Sequence, residues 1–391
     1  MGSPGSQFLF SPSTERELSD WLRSRATGPG PAVTGTDDLL PGSSMPDGDG
    51  ATGLAVVSSS RMAEVVSFRP RDLTIEVGAG LRLQRLREII EEKGLWIPAA
   101  GIGAARSIGG WIAAASPAVW DGAYGPVRRQ LLGCRVIAPD GRDLTWGRAV
   151  MKNVAGYDLP RLIAGSRGRL GVLTRVTIRL WPRPEAITAW TIRGAIRPFV
   201  LGSVEADAVA WRWTRAGGES VTVMFAGSAD SVRRRERSLA TRARAAGAEI
   251  AEANSGLEPG GGRGERLPGS VVYRLTPGRR YLSTVFRDLI ARDDPRLAAM
   301  EAIPESGMML AFLDPDHLDS ASAREFLSHD SPSNSRAGED TETGPEIGIE
   351  RGGPAEHEAV DALRAPAVRT IERRLERALG AWSRAWQADY L

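Results

Sequence analysis

Apolar and polar residues alternate with a period of two from Val172 to Leu180. Val172, Thr174, Val176, Ile178 and Leu180 stand against Leu173, Arg175, Thr177 and Arg179. That period predicts a strand, which Trp181 and Pro182 end. Just before it, Asp158 can cap a short helix with Pro160 in its first turn. Leu159, Leu162 and Ile163 supply its apolar face, and Gly165 stops it. Gly165, Gly168 and Gly171 then space a turn in which missing Cβ atoms permit positive φ and a close approach to backbone amides. Upstream, residues 73–77 read as a strand. Leu83, Leu86, Ile89 and Ile90 fall on one face of a helix that Gly94 terminates. Residues 135–138, the turn Pro139-Asp140-Gly141 and residues 143–146 read as a hairpin, and residues 13–25 as a short helix. Together these are α+β elements.

The pattern changes at about Ala186. Strands at 209–213, 221–225, 271–275 and 308–313, with a helix at 231–246, predict a smaller, cap-like α/β layer. Two domains are therefore expected, 1–185 and 186–391. Glycine-rich residues 253–269 and the Ser, Gly, Pro and acid-rich residues 329–358 are expected to be mobile loops. Val368, Ile371, Leu375, Leu379, Trp382 and Trp386 form an apolar stripe on a closing helix, which docks either on its own domain or on a partner. No internal repeat is evident.

Composition narrows the classes of function. Fifty basic residues against 48 acidic ones leave a net charge of +2, so nothing global argues for nucleic acid. Lys93 and Lys152 are the only lysines in an arginine-rich chain. One cysteine, Cys134, excludes an intramolecular disulfide framework and any cysteine-built cluster, and its apolar surroundings read as core. With no secretory signal and no long apolar run, a cytoplasmic protein that reaches a membrane only through partners is expected. Gly78-Ala-Gly80 suggests a dinucleotide fingerprint, but the position three beyond Gly80 is Leu83, so that fingerprint fails.

Several blocks occur in one order: Ile75-Glu-Val-Gly-Ala-Gly-Leu81, then PAAGIGAARSIGGWIAAA from Pro98, Tyr124-Gly125 with Arg128, KNVAGYDL from Lys152, and GSRGRLGVLT from Gly165. Over about residues 30 to 185 this run resembles the FAD-binding subunits of glycolate oxidases, within the flavoproteins of PCMH or vanillyl-alcohol-oxidase type. The resemblance implies a PCMH-type FAD-binding fold of two subdomains followed by the cap. It also implies a subunit that holds FAD while a small 2-hydroxy acid is oxidised jointly with a catalytic flavoprotein subunit and an iron–sulfur subunit. A flavin-free scaffold or assembly subunit and a self-sufficient 2-hydroxy-acid dehydrogenase stand as alternatives.

The same resemblance suggests site residues. The first FAD loop would be residues 33–42. There Gly35, Thr36 and Gly42 keep the small-residue character, while Asp37 and Asp38 bring carboxylates to where phosphates would sit. That loop either touches FAD or is a plain surface turn. Ser107, Ile108, Gly109 and Gly110, followed by Ala113, Ala114 and Ala115, match the second loop, which admits the pyrophosphate and ribityl chain. The alternative there is a tight helix start with alanine packing. Tyr124 would line the cofactor channel and Arg128 would sit in an ion pair. Gly168, Gly171 and Val172 match the loop that holds the nucleotide half. Lys152 either supplies positive charge near N1 and O2 of the reduced flavin or forms a salt bridge. Catalytic relatives usually hold the substrate carboxylate with an arginine and a threonine beside the Asn153 block, where this chain has Val150 and Val154. His317, His329 and His357 are isolated, so no catalytic base and no metal site is named. The chain also lacks a histidine before His317, and its thiol sits in a strand, so FAD is expected to be held without a covalent bond.

Overall fold

The computed structural model describes residues 8–24, 32–34, 55–99, 106–115, 118–147, 159–194, 205–253, 271–276, 282–304, 306–314 and 346–351. The chain opens with β1 (Phe8–Phe10), α1 (Glu15–Arg23), β2 (Ala32–Thr34) and β3 (Ala55–Ser58). These strands form a parallel sheet in the order β1-β3-β2. Next come β4 (Val65–Arg69), β5 (Thr74–Gly78), α2 (Leu83–Glu91), β6 (Leu95–Trp96), α3 (Ile108–Ala114), α4 (Asp121–Tyr124) and α5 (Val127–Gln130). They are followed by β7 (Leu131–Ile137), β8 (Asp143–Gly147), α6 (Leu159–Ile163), β9 (Val172–Arg179) and β10 (Trp181–Pro182). A five-stranded antiparallel sheet results, ordered β4-β5-β9-β7-β8.

The apolar stripe of α2 buries Leu83, Leu86 and Ile90 against Ile75, Val77, Val176 and Ile178 of this sheet, with Trp111 of α3 in the same core. Helix α1 joins the two sheets. Leu18 and Leu22 pack with Val57 of β3 and with Ile137 and Val172. Thr14 caps α1 by accepting from the Glu17 N–H, and Glu15 lies 3.2 Å from Arg135 Nη1 and 2.7 Å from Arg175 Nε. The expected helix, hairpin and alternating strand are thus present. Trp181 and Pro182 end the main strand as predicted and then pair with Trp96 and Leu95 as the short β10–β6 ribbon, a partnership with no local signal.

The described residues after 185 build one antiparallel sheet. Its strands are β11 (Ala186–Arg193), β12 (Ala208–Thr214), β13 (Gly218–Gly227), β14 (Glu249–Glu252), β15 (Val271–Thr276), β16 (Leu297–Ile303), β17 (Met308–Leu313) and β18 (Glu346–Arg351). Helix α7 (Ala229–Ala245) follows β13, and α8 (Leu282–Ala291) follows β15. The order is β14-β11-β13-β12-β16-β17-β15-β18. Numbering the strands within each half, β11–β14 and β15–β18 both read 4-1-3-2, the ferredoxin-like order, and the halves meet through β12 and β16. A repeat is therefore present in topology although none is evident in sequence.

The sheet after residue 185 has eight strands, against ten strands in three smaller sheets before it. One expectation is corrected here. Within the expected mobile loop at 329–358, Glu346–Arg351 form β18, paired antiparallel with β15. Ile347 and Ile349 alternate as a strand requires, within a Gly and acid-rich stretch that reads as loop by composition. The segments at 254–270 and 368–386, including the apolar stripe, lie outside the described residues.

Candidate functional site

The two glycines of the failed fingerprint serve a different purpose from phosphate binding. A Cβ on Gly80 would lie 1.9 Å from the Ser59 carbonyl oxygen, and one on Gly78 would lie 2.1 Å from that of Met62. Bare backbone lets the turn after β5 interlock with the turn at 59–62. The Gly78 N–H donates to Glu64 O at 2.8 Å and the Gly80 N–H to Met62 O at 2.9 Å. On its other side the same turn receives the start of α3. The Ile108 N–H donates to Leu81 O and the Gly109 N–H to Ala79 O, both at 2.8 Å. Ser107, extended at φ −72°, caps α3 by accepting from the Gly110 N–H at 3.0 Å.

The amides of Ile108, Gly109 and Gly110 are therefore spent on acceptors within the chain. Gly109 is required by packing, since its Cβ would meet Ala79 O at 2.9 Å. At Gly110 a Cβ would meet only the side chains of Ser107 and Arg106, at 3.2 and 3.4 Å.

The glycine-spaced turn docks on the far end of the same helix. Ala115 closes α3 at φ +44°, and the Gly165 and Arg167 N–H groups donate to Ile112 O and Ala113 O at 3.1 and 2.9 Å. Positive φ occurs at Gly165 (+90°), Arg167 (+52°), Gly168 (+77°) and Gly171 (+140°), as the missing Cβ atoms allow at the three glycines. Gly171 also passes close beneath β7, where a Cβ would lie 2.6 Å from Ile137 O. Val172 is fully buried and pairs with Ile137. The Gly168 N–H makes no hydrogen bond to a described residue. The structure thus joins the Ser107–Ala114 block and the Gly165–Val172 block, 50 residues apart in sequence, into one hydrogen-bonded unit lined by small residues. Gly35, Thr36 and Lys152 lie outside the described residues, as do Val150, Val154 and the three histidines.

Tyr124 belongs to a different cluster. It stands edge-on to Trp96, Trp120 and Trp181, with ring centroids at 5.2, 6.2 and 5.0 Å. Gln130 fixes this group. Its amide donates to the Tyr124 and Gly125 carbonyls at 2.7 and 3.0 Å and accepts from Trp181 Nε1 at 3.0 Å. Val119 and Trp120 press the cluster onto Ala208, Met224 and Ala226 of the second sheet. Arg128 makes no ion pair among the described residues, although its charge acts on Asp121. Burial pushes the Asp121 carboxyl up to about 7, against the opposing pull of the Ala118 hydrogen bond and Arg128. Burial likewise pushes the Tyr124 hydroxyl above its ordinary value, with Asp207 adding to the rise.

Sequence reasoning missed Asp121 and Gln130. Asp121 stands three positions before Tyr124 of the matched Tyr124-Gly125 block, which is the one local hint; the partners of Gln130 lie up to 51 residues away. Cys134 is buried and its thiol is pushed up to about 12 by desolvation, in keeping with a core residue. Among the described residues no group of His, Cys, Asp and Glu could hold a metal ion, and no helix is long and apolar enough to cross a membrane.

Comparison with known proteins gives this geometry a context. Residues 9–146 match the family model described as FAD binding domain. The chain is 39% identical to the glycolate oxidase subunit GlcE of Escherichia coli K12 over 127 residues, covering 31% of this chain and 35% of that protein. It is 35% identical to the mitochondrial D-lactate dehydrogenase [cytochrome] of Arabidopsis thaliana, over 33% of this chain and 23% of the other. To D-2-hydroxyglutarate dehydrogenase of Stutzerimonas stutzeri it is 31% identical, over 41% and 32%. The matches therefore span between 23% and 35% of these relatives' length. A solved structure of alkyldihydroxyacetonephosphate synthase superposes with a TM-score of 0.61 at 13% identity, covering 95% of this chain and 75% of that one, which establishes the fold. Over residues 9–146, about a third of its length, this chain is thus similar to FAD-binding domains.

Proposed function

We propose that this chain is the FAD-holding subunit of a glycolate-oxidase-type complex, which oxidises a small 2-hydroxy acid together with a catalytic flavoprotein subunit and an iron–sulfur subunit. The observation that carries the reading is the similarity to GlcE across the FAD-binding domain, combined with the hydrogen-bonded unit of α3 and the 165–172 turn. In this reading residues 1–185 are the FAD-binding domain and residues 186–391 the cap. The protein works in the cytoplasm and meets the membrane through its partners.

The local chemistry suits a dinucleotide. The Gly168 N–H is a donor without an acceptor in the described chain. The turn of Gly168, Gly171 and Val172 would border the nucleotide half, with Gly168 as its amide donor; Ser107 to Gly110, whose amides are already bonded, would border the pyrophosphate side through their small size, and Gly35 and Thr36 would form the first loop. Lys152 would set a positive charge beside the ring system. Bound FAD supplies two-electron acceptance from a C–H bond followed by onward electron transfer. The chain's own residues bind and orient it. The substrate's carboxylate clamp and proton acceptor come from the catalytic partner, because Val150 and Val154 stand where the catalytic relatives place the clamp and His317, His329 and His357 are isolated in sequence.

An absorption spectrum of the purified chain tests this reading. Flavin bands near one FAD per chain are expected, and acid or denaturant should release all of the yellow colour, because the buried, high-pKa thiol of Cys134 is a poor nucleophile. A protein that stays colourless after FAD addition would favour the flavin-free scaffold, for which Asp37 and Asp38 in the first loop argue. The chain alone should not reduce dyes with glycolate or D-lactate, and a larger flavoprotein and an iron–sulfur protein should copurify with it.

Gly110→Val provides a sharper probe. The chain around Gly110 offers only side-chain neighbours to a new Cβ, so this variant should melt close to the parent yet fail to retain FAD. A folded Gly110→Val protein with a full complement of flavin removes Gly110 from the site.

A further inference from the structure

We propose that the flank of α7, where it meets residue 205 and β13, carries a binding site for a small phosphate-bearing anion, separate from the FAD-binding domain. A cavity of about 400 Å³ opens along this helix, within the size range of small-molecule sites. Ser231, Arg234, Ser238 and Arg242 line it at spacings of three and four, which puts them on one face of the helix. Two guanidinium groups and two hydroxyls thus project along one wall. Opposite them the lining carries a single carboxylate, Glu205.

The arginines of α7 differ in their commitments. Arg233 is paired with Asp230, and Arg237 donates to Arg233 O, so both serve the helix itself. Arg235 is fixed in the cavity wall by Asp207 Oδ2 at 2.6 Å and Ala226 O at 2.8 Å. Arg234 lines the cavity and makes no hydrogen bond or ion pair with a described residue, whereas Arg242 lines it while already engaged within the chain. A concave wall of planar forked donors and hydroxyls, with positive charge in excess, matches the oxygen-rich tetrahedral phosphate better than a planar carboxylate or a neutral ligand.

The location separates this site from the flavin. Val232, Leu239 and Ala243 seat α7 on the sheet face that carries Val221, Val223 and Phe225. Trp120 and Val119 of the first unit meet the opposite face, at Ala208, Met224 and Ala226.

Calorimetric titration of the full-length chain with inorganic pyrophosphate, in about 0.1 M salt to screen diffuse charge, tests the proposal. Saturable binding of one pyrophosphate per chain is expected, weakened about tenfold or more by the double variant Arg234→Gln/Arg242→Gln. The control Arg233→Gln/Arg237→Gln removes the same charge from the same helix outside the cavity and should bind like the parent. Flavin content and melting temperature should be alike in all three proteins. Three results overturn the site: no saturable heat with pyrophosphate, equal weakening by both double variants, or binding of polyglutamate without binding of pyrophosphate. The last would identify a docking face for an acidic protein instead.

Discussion

Gly80→Ala is expected to destabilise the chain by at least about 3 kcal/mol, the upper range of overpacking costs, and to strip it of FAD. The added Cβ would lie 1.9 Å from Ser59 O, 2.7 Å from Ser59 C and 2.9 Å from Ser60 Cα, all backbone atoms that no rotamer change can move. Separating the two turns breaks the Gly80 N–H bond to Met62 O. It also displaces Ala79 and Leu81, whose carbonyls accept from the first amides of α3. The damage therefore reaches the helix proposed to flank the cofactor. Gly94→Ala is the matched control. Gly94 has φ +66° but open space around it, so alanine there costs only the left-handed conformation, roughly 1–2 kcal/mol. Urea denaturation of both variants decides the matter. If Gly80→Ala is no worse than Gly94→Ala, the turns are not interlocked as described.

Asp121→Asn is expected to do the opposite at alkaline pH. Burial penalises the Asp121 carboxylate and pushes it up to about 7 in the folded chain, against an ordinary value of 3.8. Between those values the folded state holds a proton that the unfolded state has lost, so stability falls as pH rises through this window and levels off above about 7. At one pKa unit per 1.36 kcal/mol, the burden above the window reaches about 4 kcal/mol as an upper bound. Asparagine keeps an acceptor for the Ala118 N–H and carries no charge. The variant should gain most of that stability at pH 8 and almost none at pH 4. Parallel denaturation curves at the two pH values check this, and a variant equally stable to the parent at both would show that Asp121 is well solvated.

The part of the fold legible in sequence was the part written locally. The α2 stripe, the β7–β8 hairpin and the β9 alternation each repeat within a dozen residues and were found where expected. The β6–β10 ribbon joins residues more than eighty positions apart, and no spacing rule reaches that far. The glycines illustrate the same limit within the candidate site. Their need for positive φ was readable at Gly165, Gly168 and Gly171. Which of them is held by neighbouring backbone was not, because Gly80 answers to Ser59, Gly109 to Ala79 and Gly171 to Ile137. Tyr124 was singled out through its block, yet its environment is made by Trp96, Trp181 and Gln130, which no motif links to it.

The twofold 4-1-3-2 order of the large sheet has a consequence for solubility. Each half, taken alone, would present a full strand of unpaired amide and carbonyl groups, β12 on one side and β16 on the other. Such an exposed ladder invites pairing with any passing chain. Joining the halves at that seam uses the hazard of each to silence the other. At the β14 border Glu249 and Glu252 are exposed, and charge on that rim discourages pairing with the edge of a neighbouring copy.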